Sequence, residues 1–155
     1  MTFAVVRVRG HINVNYDIEY TMKLLRLNMV NHCVVIPNTS YYRGMLKKAK
    51  DYITWGDVSE ETLGQLINKH GKVVGEKPLT DAHVKQNTKF ANIKGLAKAI
   101  IEEKVDYKDV PEIKPLFRLP PPTKGGYEGI KRSFKVGGAL GYREQEIDKL
   151  LGRMI

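Results

Sequence analysis

Residues 30–45, VNHCVVIPNTSYYRGM, show most clearly which kind of fold this chain adopts. The apolar run at residues 32–36 predicts a short buried strand. Pro37 ends the strand, because proline cannot donate a hydrogen bond to a sheet. Thr39 or Ser40 can then serve as the N-cap of a helix. The stretch therefore predicts a strand followed at once by a helix.

The helix is predicted over residues 41–50. Its apolar side chains recur at helical spacing, and they are Tyr42, Met45, Leu46 and Ala49. An adjoining face carries four cations, Arg43, Lys47, Lys48 and Lys50, with no carboxylate inside the helix to neutralise them. Two interpretations remain open for this face: an ordinary solvated surface, or a surface that binds a polyanion.

Further elements flank this stretch within residues 1–58. Residues 3–9 predict a strand, with Ala4, Val6 and Val8 on one face and Phe3, Val5, Arg7 and Arg9 on the other. Residues 17–27 predict a helix, and residues 52–55 predict a third strand that Gly56 ends. The result is an α+β unit of order βαβαβ, a small three-stranded sheet with two helices on one face. The other sheet face is expected to be free for a partner.

Residues 59–155 predict a second, mainly helical unit. Ser59, Thr80 and Asn92 precede apolar stripes as N-caps, and residues 144–151 predict a closing helix. Residues 59–111 carry 9 basic and 8 acidic groups, so their stripes are assigned to packing rather than to recognition.

Within this extension, residues 112–143 predict a long basic loop with 7 basic and 2 acidic groups. Residues 116–143, LFRLPPPTKGGYEGIKRSFKVGGALGYR, follow neither a helical nor a strand period. Ordering such a loop costs about 1–2 kcal/mol per residue, more than its few apolar side chains return. An acidic, extended partner such as a polyphosphate backbone is therefore expected to complete it.

The composition narrows the class of protein. A chain of 155 residues with 42% hydrophobic content can bury a core, and a net charge of +9 favours polyanions without distinguishing RNA, DNA and acidic lipid. One cysteine, Cys33, suits a reducing compartment. No run approaches a membrane span and the amino terminus lacks a signal-peptide pattern, so a cytosolic location is expected.

The motifs of catalysis and metal binding are missing from the sequence. The four histidines do not pair with Cys or with one another at metal spacing, and His32 is assigned a structural role. The glycines of residues 125–129 neither follow a strand nor open a helix, as a phosphate loop would. No enzyme, catalytic residue, cofactor, metal or small-molecule substrate is therefore expected.

The quoted stretch resembles the L-thirty family of large-subunit ribosomal proteins, whose eukaryotic members are called L-seven. The similarity includes residues 30–32, the following strand, Thr39 and residues 43–45. Residues 116–126, 137–141 and 147–154 are similar to the extension of archaeal and eukaryotic members. The resemblance implies an archaeal-type member, because the long basic amino-terminal arm of eukaryotic relatives is missing. The resemblance implies a loosely ferredoxin-like fold with an extension. It also implies a cytoplasmic, ribosomal location, binding to large-subunit ribosomal RNA and, in the longer forms, proximity to 5S RNA. Neighbouring ribosomal proteins are further candidate partners.

The residues expected to contact RNA lie on the open sheet face, on the second helix and in the loop. They are Arg7, Arg9, Thr39, Arg43, Lys47, Lys48, Lys50, Arg118, Lys124, Gly125, Gly126, Tyr127, Lys131, Arg132, Phe134, Lys135 and Arg143. The cations would contact phosphates, the glycines would allow close approach, and Tyr127 or Phe134 would stack on an exposed base. Two alternatives are a nucleotide-handling enzyme that uses residues 125–129 and a DNA-binding module.

Overall fold

The computed structural model describes residues 1–155, and strands alternate with helices before the chain becomes mainly helical. The strands are β1 (Thr2–Arg7), β2 (His32–Pro37), β3 (Ile53–Asp57), β4 (Phe117–Arg118) and β5 (Gly141–Tyr142). The α-helices are α1 (Tyr16–Leu24), α2 (Ser40–Lys48), α3 (Glu60–His70), α4 (Asp81–Asn87), α5 (Ile93–Ile101) and α6 (Ile147–Met154). Short 3-10 helices lie at Tyr107–Asp109, Phe134–Val136 and Glu144–Glu146. The predicted α+β class is confirmed.

The strands form one mixed sheet in the order β4-β2-β1-β3-β5. The central strand β1 is antiparallel to both neighbours, so that Val5 faces Val34 on one side and Trp55 on the other. β4 is antiparallel to β2, and β5 is parallel to β3. The predicted three strands are therefore the centre of a wider sheet. Both edge strands come from residues 112–143 and are two residues long, too short to show a period of their own.

Local capping chemistry sets where the helices begin. The Oγ atoms of Ser59 and Thr80 accept hydrogen bonds from backbone N–H groups at the starts of α3 and α4, and Asn92 Oδ1 does so for α5. These three caps are confirmed. α1 ends at Leu24, three residues before the predicted limit.

α1 and α2 cover one face of the sheet, as predicted. Met22 of α1 and Leu46 of α2 are fully buried in an 11-residue cluster with Phe3, Val5 and Val34. Alternate residues of a strand point to opposite faces, so these strand positions are the ones that meet the two helices.

The prediction of a free second sheet face is wrong. Ala4, Val6 and Cys33 point to that face and belong to a 24-residue buried cluster that includes side chains of α3, α5 and α6. The apolar stripes of these helices need a surface to pack on, and each fully buried side chain contributes about 1.5–3 kcal/mol. The sheet is thus the middle of three layers. Residues 1–58 and 59–155 share this core, and their division into two folding units stays a prediction.

Close packing of β3 against the end of the chain depends on Gly56. This glycine lies inside β3 and does not end it, as the sequence had suggested. A Cβ atom at Gly56 would overlap the carbonyl oxygen of Glu144 and lie 2.9 Å from Cβ of Ile147. The missing side chain lets α6 approach the sheet.

Residues 119–140 run from β4 at one edge of the sheet to β5 at the other. They cross the end of the sheet at which β1 finishes and β2 and β3 begin. The Leu119 N–H donates to the carbonyl of Asn31, just before β2, and Ala139 packs against Val8, just after β1. The expectation of a segment without regular structure is wrong at both ends, where it pairs with the sheet. Its middle, around residues 120–131, contains no helix or strand.

Candidate nucleic-acid interface

The outer surface of α2 is cationic. Leu46 anchors the helix on the sheet, which turns four side chains toward solvent, here called the α2 cations: Arg43, Lys47, Lys48 and Lys50. None of them has a carboxylate oxygen within 4.0 Å. Arg43 donates only to the amide oxygen of Asn38. Their charge is therefore available to an external anion.

The start of α2 has two free backbone donors. The Tyr42 N–H donates to Oγ1 of Thr39 at 3.3 Å, and the Thr39 N–H donates to the Pro37 carbonyl at 3.0 Å. The N–H groups of Ser40 and Tyr41 are the ones without a partner. Of the two predicted candidates, Thr39 and Ser40, Thr39 is the cap, and it leaves two donors for an anion.

Gly44 occupies an exposed position in the middle of α2. Apart from its chain neighbours and the backbone of α2, no atom lies within 4 Å of the place that a Cβ would take. Glycine inside a helix costs about 1 kcal/mol relative to alanine, and no packing contact requires it here. The glycine instead leaves the backbone between the α2 cations open to close approach.

Arg7 does not lie on an open sheet face, so this prediction is wrong. Its side chain is fully buried, and its guanidinium donates to the carbonyls of Arg9, Leu27 and Asn28 at 2.9, 2.7 and 3.2 Å. Nη2 also lies 3.1 Å from a carboxylate oxygen of Glu19. Every strong acceptor that surrounds it belongs to the protein itself, so Arg7 stabilises the fold.

Arg9 lies at the end of the sheet and is half-buried. Its guanidinium carbon is 5.0 Å from the ring centroid of Tyr52, and Nη1 donates to the Asp51 carbonyl at 3.3 Å. No carboxylate lies within 4.0 Å of it. Arg9 therefore keeps an uncompensated charge beside the carboxyl end of α2.

The loop carries five exposed cations, here called the loop cations: Arg118, Lys124, Lys131, Arg132 and Lys135. Arg118 lies 3.3 Å from a carboxylate oxygen of Glu76. The other four have no carboxylate partner within 4.0 Å. Gly125 and Gly126 have φ angles of +102° and +68°, a region that favours glycine. The sequence prediction of a solvent-facing cationic loop agrees with this geometry.

Arg143 is buried and braces the loop. Only 7% of its surface is exposed, Nε donates to Oγ1 of Thr54 at 2.8 Å, and Nη2 donates to the Ala139 carbonyl at 2.7 Å. Its guanidinium carbon lies over the Phe134 ring, 4.8 Å from the ring centroid, so the guanidinium covers one face of that ring. Unlike the five loop cations, Arg143 is therefore not exposed on the surface, and its contact with RNA stays a prediction. A long-range contact with Thr54 decides its position.

Tyr127 also has a partner inside the protein. Its hydroxyl donates to Oδ1 of Asn31 at 2.7 Å, and burial, the largest cause, raises its pKa. The ring packs against the core beside Ala139 and Leu140. Stacking of Tyr127 or Phe134 on bases stays a prediction, and in the free protein both rings anchor the loop.

The two groups of exposed cations share one end of the molecule. The loop crosses the end of the sheet where β3 begins, and the carboxyl end of α2 leads into β3 through residues 49–52. Lys47, Lys48 and Lys50 therefore lie at the same end as the loop. Arg43 lies one helical turn further away along α2.

Two cations of α6 belong to the cationic surface and were not predicted from the sequence. Arg153 Nη1 donates to the Gly126 carbonyl at 3.1 Å, and Lys149 faces the same part of the loop. Each reads as an ordinary surface residue of a helix, and only the packing of α6 against the loop adds them to the cationic surface.

The side chains of the structure form no cluster typical of metal binding. No three His, Cys, Asp or Glu side chains are grouped so as to hold a metal ion. Burial raises the pKa of the Cys33 thiol to about 12, so that it is not a thiolate at neutral pH. None of the helices has the length and apolar character that crossing a bilayer requires.

Comparison with known proteins decides the family. Residues 3–53 match the family described as Ribosomal protein L30p/L7e. The large ribosomal subunit protein uL30 of Methanosphaera stadtmanae is 48% identical over 99% of both chains. The uL30 protein of Methanococcus maripaludis is 50% identical over 100% of both chains. The uL30 protein of Methanocorpusculum labreanum is 46% identical over 98% of this chain and 99% of its own. The chain belongs to the L30p/L7e family.

Membership confirms the resemblance and its archaeal type, since these relatives come from methanogens. Members of the L30p/L7e family are structural, non-enzymatic components of the cytoplasmic ribosome. The predictions that this chain is not an enzyme and that it lies in the ribosome are therefore also confirmed. The family match itself ends at residue 53, within β3. The full-length relatives extend the similarity through the loop and α6.

Proposed function

We propose that this chain binds ribosomal RNA as a structural constituent of the large subunit, through the α2 cations, Arg9 and the loop cations. The observation that carries the proposal is the absence of carboxylates near these groups. Eight of the nine α2 and loop cations, all but Arg118, have none within 4.0 Å. Side chains that serve the fold, such as Arg7, are instead enclosed by acceptors.

Phosphate groups are the natural partners of such a surface. Lysine and arginine that neutralise phosphates release condensed counterions, which drives binding without reading a sequence. The exposed cations lie on two separate elements at one end of the molecule, so they would recognise a particular RNA shape. Contact with 5S RNA and with neighbouring ribosomal proteins belongs to the same proposal.

Gly44 supports a close RNA contact on α2. Alanine would suit the helix better by about 1 kcal/mol, and nothing in the protein occupies the space above the glycine. An RNA backbone lying against α2 would use this space, because a missing side chain lets the phosphates approach the helix surface.

A salt titration of binding to a large-subunit rRNA fragment tests the proposal. Six to ten phosphate contacts predict a log–log slope of order −4 to −9. The double variant Lys47→Ala/Lys48→Ala should make the slope shallower by about 2. Its charge-matched control is Lys94→Ala/Lys98→Ala on α5, which should leave the slope unchanged. A slope near zero for the wild type, or equal effects of the two double variants, would contradict the proposal.

A further inference from the structure

A cavity of about 450 Å³ lies between the loop and α6. Its charged lining consists of four cations, Lys124, Arg143, Lys149 and Arg153, and two carboxylates, Glu128 and Glu146. The lining thus has a charge of +2, in a recess whose walls exclude part of the solvent. Charges in such a recess interact more strongly than charges on an open surface.

Arg143 is the unusual member of this group. It is 7% exposed, yet no carboxylate oxygen lies within 4.0 Å of it. Two guanidinium nitrogens donate to Thr54 and Ala139, while Nη1 makes no hydrogen bond. Burying a charge without a direct ion pair is costly. Burial, the largest cause, lowers the pKa of this guanidinium, and the charges of Glu128 and Glu146 act in the opposite direction. An anion in the cavity would supply the missing partner.

The remaining cations are only partly satisfied. Nζ of Lys149 lies 2.8 Å from a carboxylate oxygen of Glu146, so these two charges offset each other. Arg153 donates to the carbonyls of Gly126 and Thr123, neither of which neutralises its charge. Lys124 makes no hydrogen bond or ion pair. Three cations therefore stand against the single carboxylate of Glu128.

We propose that this cavity binds one phosphate group of the RNA backbone, with Arg143, Lys124 and Arg153 as its donors. The inference rests on the proposed function and adds a defined phosphate site to it, partly formed by α6. A phosphate has enough oxygen acceptors to bind donors from several directions at once. Bound here, it would bridge the loop at Lys124 and α6 at Arg153. RNA binding would then fix the loop on the body of the protein.

Phosphate ethylation interference on the full chain tests the site with matched variants. Lys124→Ala/Arg153→Ala removes two of the three proposed donors from the cavity lining, and Lys131→Ala/Lys135→Ala removes two loop charges that do not line it. We expect at least one RNA phosphate whose ethylation blocks binding of the wild type and of the second variant, but not of the first. The first variant should also bind about tenfold more weakly than the second, as loss of one charged hydrogen bond predicts.

Removing a carboxylate from the cavity should have the opposite effect on RNA affinity. Glu128→Gln removes the unpaired acid from the cavity and should strengthen RNA binding, since the carboxylate repels the phosphate. Weaker binding of this variant would overturn the site. Identical interference patterns for the two double variants would also overturn the phosphate site. If the wild type then still showed a steep salt slope, the proposed function would be unaffected.

Free phosphate compounds distinguish the source of the anion. Gly138 lines the cavity, and the Gly126 carbonyl accepts a hydrogen bond from Arg153. Inorganic phosphate and uridine monophosphate, titrated into isotope-labelled protein, should both shift the amide resonances of these two glycines, and only at millimolar concentrations. Saturation by the mononucleotide at micromolar concentration would overturn the assignment to RNA backbone, because it would show a site for a free nucleotide. No shift at Gly126 or Gly138 with either compound would overturn the cavity itself.

Discussion

Nη2 of Arg7 lies 3.1 Å from Oε2 of Glu19, and this ion pair joins the end of β1 to α1. The arginine is fully buried, while the glutamate side chain keeps 23% of its surface exposed. The same guanidinium satisfies the carbonyls of Leu27 and Asn28 at the start of the connection to β2. One side chain therefore holds together three consecutive parts of the βαβ unit.

Replacing Arg7 by alanine should lower the free energy of unfolding by about 3 kcal/mol, since removal of one partner leaves the other buried groups unpaired. Urea denaturation measures this loss. Arg9→Ala is the control, and it should cost under about 1 kcal/mol because it loses mainly a cation–π contact with Tyr52. Equal losses for the two variants would show that Arg7 is not the structural arginine.

Replacing Gly56 by alanine should destabilise the protein by about 2 kcal/mol, because the new methyl group would force β3 and α6 apart. Thermal and urea unfolding measure the change. Gly152→Ala, in α6 itself, is the control: nothing lies within 4 Å of its Cβ position, so helix propensity should raise stability by up to about 1 kcal/mol. A neutral Gly56→Ala would mean that α6 does not pack as closely as described.

Gly44→Ala should have opposite effects on folding and on binding. The variant should be more stable by about 0.5–1 kcal/mol, because alanine is the better helix former. Its affinity for the rRNA fragment should fall, because the methyl group occupies the space proposed for RNA. Urea denaturation and filter binding on the same preparation measure both. Gly64→Ala on α3 should change stability alone, and an unchanged RNA affinity of Gly44→Ala would argue against close contact at α2.

His32 should make stability depend on pH. Burial, then the charges of Arg118 and Arg7, lower the pKa of its imidazole in the folded state, and Nδ1 makes no hydrogen bond. The unfolded chain binds the proton near pH 6.5, and the folded chain binds it only at lower pH. The free energy of unfolding therefore falls as the pH drops below about 6.5, until the pH reaches the folded-state pKa.

Urea denaturation between pH 5 and pH 7.5 measures this effect of His32. His32→Gln should remove the part of the slope that the imidazole causes, and the control His11→Gln, an exposed residue, should not. If the His32→Gln protein loses as much stability over this range as the wild type, the effect belongs to other groups.

Local patterns in the sequence predicted the parts of the fold that depend on near neighbours. The caps Thr39, Ser59 and Asn92 and the alternation in β1 involve residues within a few positions of one another. The exposed cations of α2 followed from the same reasoning, because the burial of Leu46 determines which side of its helix faces outward.

The residues that were misplaced are those whose partners are distant in sequence. Arg7 in an alternating strand looks identical whether its side chain meets water or the carbonyls of Leu27 and Asn28. Arg143 looks like another loop cation until Thr54, 89 positions earlier, accepts its hydrogen bond.

The sequence by itself determined the α+β class, the helices and their caps, and the presence of uncompensated positive charge. Only the tertiary structure decided that both sheet faces are covered, that the loop supplies two edge strands, and which arginines are buried. The physical reason is that burial and ion pairing depend on distances between elements far apart in the chain, whereas periodicity and capping depend on neighbouring residues.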